Sequence, residues 1–196
     1  METDMYKKQM ILQRIVCYAL LIAAALVFVY SLGIMTDMYA SKFAYYAEDI
    51  ENPKVAGTEL YYYMQDFNKS FTGVGIGLIL LAVSQFLFQN HARRKYYIAN
   101  YITVVANTVA AVAASVWALN NIFTYRAQYL LVDFEAMKER AEVMGFEYTD
   151  STFWFDVSTY VFGFLLVVTV LNVANLVFKV VLMNAEKKLI QEGKEV

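Results

Sequence analysis

The sequence predicts an all-α membrane protein with four transmembrane helices. Its 196 residues are 60% hydrophobic and only 17% charged, which is too apolar for an ordinary soluble domain of this size. The apolar residues are also gathered into four long blocks. Each block, with its flanking residues, approaches the roughly 20 residues that an α-helix needs to cross the hydrocarbon core. The distribution of charge between the blocks then predicts their orientation.

Basic residues concentrate at one end of the predicted spans. The two termini, the turn at about 90–98 and the adjoining span ends hold ten basic residues (Arg14 and Lys179 included) and five acidic ones, whereas the two longer connecting segments hold six basic and thirteen acidic residues. By the positive-inside rule, we expect the termini and this turn to be cytoplasmic and both longer segments to lie outside. The expected location is therefore the plasma membrane, with several passes through it.

The predicted spans are about 12–33, 71–89, 99–120 and 158–182, and residues 1–196 are expected to form a single four-span domain. The first span could be read as a signal peptide, but its apolar run exceeds the 7–15 residues usual for that role, so we expect it to remain uncleaved. The lipid bilayer is accordingly an expected partner.

Both outer segments, about 34–70 and 121–157, are predicted to be helical hairpins. In the first, apolar residues recur every three or four positions, Asn52-Pro53 provides a stop, and Thr58 is a plausible N-cap for the returning helix. Helix pairs 1–2 and 3–4 would thus extend beyond the membrane as an elongated four-helix bundle.

The strongest helical pattern runs from Ile102 to Met144. Apolar residues recur at alternating intervals of three and four with Asn120 as the one exception, and no Pro or Gly interrupts them. In the second half this seam lies among charged residues such as Glu135 and Lys138, as expected for an amphipathic helix in water. The pattern predicts one uninterrupted helix of roughly 60 Å that ends at Gly145.

Polar residues inside the spans are the first candidate site. Amide side chains in hydrocarbon need hydrogen-bond partners, so we expect them to turn inward and to meet one another. One hypothesis is a transport or ligand site in the cytoplasmic half of the bundle. The other, which we favour because no ionisable residue lies among them, is structural hydrogen bonding between helices. The cluster comprises Gln85, Asn107, Asn172 and Asn175.

Aromatic residues of the outer segments are the second candidate site. They are more numerous than the core of two hairpins requires, which favours a surface for a protein partner. An aromatic belt at the membrane interface together with an aromatic core is an equally good interpretation. The candidate partner surface comprises Tyr62, Tyr63, Tyr129, Tyr148 and Trp154.

Other chemistry has little support in the sequence. His91 and Cys17 are the only residues of their types, so no catalytic site, metal site or cofactor is expected, and no nucleic-acid partner is indicated. The glycines of Gly73-Val-Gly-Ile-Gly77 suit close helix approach rather than phosphate binding. Asn68-Lys-Ser70 matches a glycosylation sequon near the expected lipid boundary.

The predicted topology resembles several unrelated four-span groups, but the paired loop cysteines of claudins and tetraspanins are absent from this sequence. The sequence therefore assigns no family. We expect a non-enzymatic, multi-pass subunit or scaffold of a plasma-membrane complex, such as an accessory subunit of a transporter, with a membrane-protein partner or a second copy bound to it. The alternative is a small oligomeric transporter or channel.

Overall fold

A computed structural model of the chain describes residues 2–38, 48–91, 98–145, 147–191 and 193. Within these ranges the protein is all-helical, and no β-strand occurs. The helices are α1 (Glu2–Met38), α2 (Glu48–Glu51), α3 (Leu60–His91), α4 (Ile98–Tyr129), α5 (Phe134–Met144) and α6 (Phe153–Gln191).

Four of these helices are long and apolar enough to cross a membrane. Helices α1, α3, α4 and α6 contain 37, 32, 32 and 39 residues, or about 48–58 Å each, and every one contains a predicted span. Large apolar side chains are exposed from Met10 to Val29 on α1 and from Tyr160 to Val181 on α6. Each of these stretches is about 30 Å long, which matches the hydrocarbon core. The prediction of a helical membrane protein is confirmed.

The prediction of an unbroken helix from Ile102 to Met144 is wrong. Helix α4 ends at Tyr129. A turn follows, in which the Val132 N–H donates to the carbonyl of Tyr129, three residues earlier, at 3.2 Å. The backbone N–H of Asp133 donates instead to the carbonyl of Ala56 at 3.1 Å. The Asp133 side chain then caps α5 by accepting from the Ala136 N–H at 3.0 Å. A long-range backbone bond and a strong N-cap residue thus replace the helical continuation.

The end of α5 and its exposed face agree with the sequence pattern. Gly145 adopts a left-handed conformation with φ 68° and its N–H donates to the Ala141 carbonyl, so the predicted stop at Gly145 is confirmed. Met137 and Ala141 are buried, whereas Glu135 and Lys138 are exposed. The local amphipathic pattern therefore holds within α5, although the helix is separate from α4.

The apolar seam on α4 faces outward. Ile102, Val109, Val116 and Phe123 are all exposed, and Leu130 in the following turn is exposed as well. Most of the buried positions of α4 are instead small or polar residues, although Val104, Ile122 and Tyr129 are buried as well. In a membrane the larger apolar side chains can face lipid while small residues allow helices to approach, so apolar periodicity alone does not identify the packed face.

In the first connecting segment, the structure describes only residues 48 onward. Helix α2 ends at Glu51, directly before Asn52-Pro53, as the sequence predicts. Thr58 is buried, and its hydroxyl donates to the Val55 carbonyl at 2.7 Å. The predicted helix continuation through residues 39–47 lies outside the described residues, as does the basic turn at 92–97.

The chain divides into two compact units. The terminal unit comprises Met1–Ala25, Gly77–Ala113 and Gly163–Val196, and the connecting unit comprises Leu26–Ile76 and Ala114–Phe162. The interior of the terminal unit includes several buried amide side chains.

Aromatic rings fill the connecting unit. The Phe71 ring centroid lies 5.7 Å from that of Tyr30 and 6.0 Å from that of Phe162. A second group forms around Tyr129, whose ring centroid lies 5.1 Å from that of Phe134 and 5.1 Å from that of Phe155. Offset and edge contacts of this kind stabilise aromatic cores.

Among the residues that the structure describes, one glycine of the predicted close-approach motif has that role. A Cβ on Gly75 would lie 3.0 Å from the Phe28 Cα, so the backbones of α1 and α3 meet there. A Cβ on Gly73 or on Gly77 would meet nothing within 4 Å. The glycine spacing identified the helix correctly but not the single residue that makes the contact.

Candidate functional site

Two of the predicted intramembrane amides form a reciprocal pair. Gln85 Nε2 donates to Asn172 Oδ1 at 2.7 Å, and Asn172 Nδ2 donates back to Gln85 Oε1 at 3.2 Å. Their exposed fractions are 0% and 1%. The pair therefore joins α3 to α6 inside the terminal unit, and each amide satisfies one donor and one acceptor of the other.

The other two predicted amides have different partners. Asn107 Nδ2 lies 3.0 Å from the Leu81 carbonyl of α3 and 2.9 Å from the Thr103 carbonyl of its own helix. Asn175 Oδ1 accepts from Gln9 Nε2 of α1 at 3.2 Å. All four amides are buried, but the structure shows separate links between helices rather than one cluster of four.

Three further residues on α1 and α3 extend the polar interior. Gln13 Nε2 donates to the Gln89 backbone carbonyl at 3.3 Å, and Cys17 Sγ donates to Gln89 Oε1 at 2.8 Å. Cys17 is therefore a hydrogen-bond donor rather than simply a small apolar residue. Gln9, Gln13 and Cys17 recur every four residues on one face of α1, a signal that could have been found in the sequence.

A basic residue of α6, near the end of the predicted fourth span, joins this interior. With the Asn100 amide oriented to suit its neighbours, Nδ2 donates to the Phe88 carbonyl at 3.0 Å and Oδ1 accepts from Lys179 Nζ at 3.1 Å. Asn100 thereby connects α3, α4 and α6. From its position in the sequence, Lys179 is expected to extend its long side chain to the membrane surface. That position does not reveal the contact with Asn100.

The Gln85–Asn172 pair and its neighbouring amides supply neutral hydrogen-bonding groups, and Lys179 is a charged group that contacts this interior through Asn100. Paired amides hold helices together and recognise polar groups, but an amide does not exchange protons near neutral pH. Within the described ranges, no three His, Cys, Asp or Glu side chains are placed to hold a metal ion. The arrangement of the amides is therefore suited to structural bonding, and any role in binding a solute stays a prediction.

The five aromatic residues of the predicted partner surface differ in exposure. Tyr129 is fully buried and its hydroxyl donates to the Thr149 carbonyl at 2.6 Å, so its assignment to a surface is wrong. Trp154 is partly buried, with its ring where a Cβ on Gly33 would lie. Tyr62 is partly buried, and Tyr63 and Tyr148 are exposed. A partner at these residues stays a prediction.

The structure adds exposed apolar residues that the aromatic pattern missed. In the connecting unit, Leu131 is 78% exposed and Val143 is 87% exposed, and Phe153 is exposed at the start of α6. All three lie beyond the predicted spans. Leu131 is exposed because the chain turns between α4 and α5, and that turn was not predicted.

No protein-family model, curated protein or solved structure matches this chain. Its four long apolar helices identify it as a multi-span helical membrane protein.

Proposed function

We propose that this protein is a non-catalytic, multi-pass subunit or scaffold of a plasma-membrane protein complex, for example an accessory subunit of a transporter. In this proposal both termini are cytoplasmic, as the distribution of basic residues favours. The helices beyond the spans form two outer hairpins in an elongated bundle, and these hairpins meet the partner.

The observation that carries the proposal is the exposed apolar surface of the connecting unit. Tyr63, Leu131, Val143, Tyr148 and Phe153 expose large side chains at positions beyond the predicted spans. Aromatic and aliphatic residues of this kind form the centres of protein interfaces, where their removal from water supplies most of the favourable free energy. The proposal therefore places the partner contact on these residues.

The alternative is a small oligomeric transporter or channel that uses the buried amides. Gln85 and Asn172 lie within the predicted spans, which is the observation that favours it. Their closed, reciprocal hydrogen bonds support structural bonding instead, because a solute would have to displace a satisfied partner from each amide. An aqueous route past them would require these bonds to open.

The two functions are separated by purification and flux measurements on the same variants. We would purify the protein from native membranes and, in parallel, reconstitute this chain alone into liposomes for uptake assays. The partner-surface variant is Leu131→Asp combined with Tyr148→Asp, and its control is Lys138→Ala on the exposed face of α5. The amide variant is Gln85→Leu combined with Asn172→Leu, which preserves approximate volume while removing polarity.

The subunit proposal predicts a stoichiometric partner that the Leu131/Tyr148 variant loses and the Lys138 variant retains. It also predicts no solute flux through liposomes that contain this chain alone. Flux that disappears in the Gln85/Asn172 variant and survives in the Leu131/Tyr148 variant would establish the transporter instead. Thermal unfolding of every variant in detergent checks that loss of the partner does not come from loss of the fold.

A further inference from the structure

The buried polar atoms without partners concentrate on one face of α3. Of the four such side-chain atoms found in the described part of the chain, three belong to Asn68 and Thr72: Asn68 Oδ1, Asn68 Nδ2 and Thr72 Oγ1. Asn68 is 1% exposed. Because these residues are four positions apart, they lie side by side on the helix. Each such atom costs free energy, since it has given up water without gaining a bond.

The same residue types behave differently elsewhere in the chain. The hydroxyls of Thr103, Thr108 and Thr169 each donate to the carbonyl four residues earlier at 2.7–2.8 Å. Asn121 likewise donates to the Trp117 carbonyl at 2.8 Å. Such local bonds satisfy polar side chains inside an apolar helix without help from another element. Thr72 Oγ1 has no such bond, so its orientation leaves it unsatisfied even though a local solution exists.

At Gly75 this face of α3 packs against α1. Asn68, Thr72 and Gly75 follow one another at intervals of four and three, and at Gly75 the two helix backbones are in close contact, as the Phe28 Cα shows. The neighbouring face of α3 is held by aromatic contacts to α4, including Phe67 with its ring centroid 5.2 Å from that of Trp117. The face of α3 that carries Asn68 and Thr72 can therefore separate from α1 while the neighbouring face of α3 remains packed on α4.

We propose that the Leu60–Thr72 part of α3 opens locally from α1 by bending at Gly73, and that Asn68 and Thr72 gain hydrogen bonds to water when it does. Gly73 is the natural position for the bend because glycine weakens a helix and its missing Cβ would meet nothing. In the closed state the packing of α3 on α1 keeps the polar groups of Asn68 and Thr72 away from water, which destabilises that state. This inference concerns internal motion and does not depend on the proposed partner.

The sequon at Asn68 does not supply another role for this side chain in the folded protein. An acceptor asparagine must be accessible to carry a bulky glycan, and Asn68 is fully enclosed.

The fourth unpartnered atom, Glu59 Oε2, lies outside the 60–72 segment, nine positions before Asn68. It is not part of the pair formed by Asn68 and Thr72.

Hydrogen–deuterium exchange of the full chain in lipid nanodiscs tests the proposal. Asn68→Leu combined with Thr72→Val removes the polar atoms that favour opening, so exchange of backbone amides in 60–72 should slow by about tenfold or more. The matched control is Thr108→Val, where the hydroxyl is already bonded to the Val104 carbonyl. Exchange in 60–72 should not change in that control.

A second variant tests the bend at Gly73, and it also provides a test if the Asn68/Thr72 variant does not fold. Gly73→Ala should also slow exchange in 60–72, since alanine stiffens the helix and its Cβ has open space. Its control is Gly163→Ala on α6, where a Cβ likewise meets nothing within 4 Å. Unchanged or faster exchange in the Asn68/Thr72 variant would overturn the opening. Equal exchange in the two alanine variants would overturn the bend at Gly73.

Discussion

The reciprocal Gln85–Asn172 pair gives the sharpest stability prediction. Gln85→Leu removes both hydrogen bonds and leaves the Asn172 amide without them in a fully buried position. An unsatisfied buried amide costs about 2 kcal/mol, so we expect the melting temperature to fall by about 4–8 °C for a chain of this size. Asn172→Leu should lower the free energy of unfolding by a similar amount, because it leaves the Gln85 amide without its hydrogen-bond partner.

The double variant should behave quite differently from the sum of the single variants. With both amides replaced by leucine, no polar group is left unpaired, and polar contacts between membrane helices contribute only about 0.6 kcal/mol each on average. We therefore expect the double variant to lie within about 1 kcal/mol of the natural protein, with a coupling of about 3 kcal/mol or more between the two positions.

Thermal and denaturant unfolding in mild detergent, followed by the loss of helical circular dichroism, measures all three variants. Thr169→Val is a suitable control because Thr169 is buried near Asn172 and its hydroxyl bonds only to its own helix, at the Leu165 carbonyl. It should shift stability by less than about 0.5 kcal/mol. Additive losses in the Gln85/Asn172 double variant would refute the reasoning, since they would show that the two amides are stabilised independently.

Three further predictions concern orientation, capping and helix contact. In a cysteine-free background, Lys69→Cys should react with an impermeant maleimide on intact cells, whereas Lys188→Cys should react only after permeabilisation; the reverse pattern would invert the proposed topology. Asp133→Ala should destabilise the protein by about 1 kcal/mol through loss of the α5 cap, and an unchanged midpoint of unfolding would show that the cap contributes nothing. Gly75→Ala should lower the melting temperature because its Cβ would press on α1, while Gly77→Ala should not; equal effects would contradict the backbone contact at Gly75.

The four apolar helices could be predicted because hydropathy is a local property that each block carries in its own composition. The break before Asp133 could not be predicted from the absence of Pro and Gly. It depends on a backbone hydrogen bond to Ala56, which lies far away in the sequence. The Asp133 side chain was a usable N-cap signal, but a cap residue inside a strong periodic pattern identifies a helix start only when the tertiary contact is known.

The candidate sites show the same division between local and long-range information. That buried amides would turn inward follows from the cost of polar groups in hydrocarbon. Which amides meet depends on helix register, so the links of Gln85 to Asn172 and of Gln9 to Asn175 required the structure. Tyr129 was misassigned because composition alone does not separate an aromatic residue of the core from one of the surface.

The two candidate sites also differ in how much free energy remains available for binding. In the terminal unit, Gln85 and Asn172 have already exchanged water for each other, so a solute that replaced either bond would gain little. In the connecting unit, Leu131 and Val143 remain exposed, and their burial by a partner would contribute roughly 25 cal/mol for each Å² of apolar surface removed from water. The Gln85–Asn172 amides are therefore satisfied, whereas the exposed apolar side chains of Leu131 and Val143 are not buried. That contrast favours association through the connecting unit over transport through the amides.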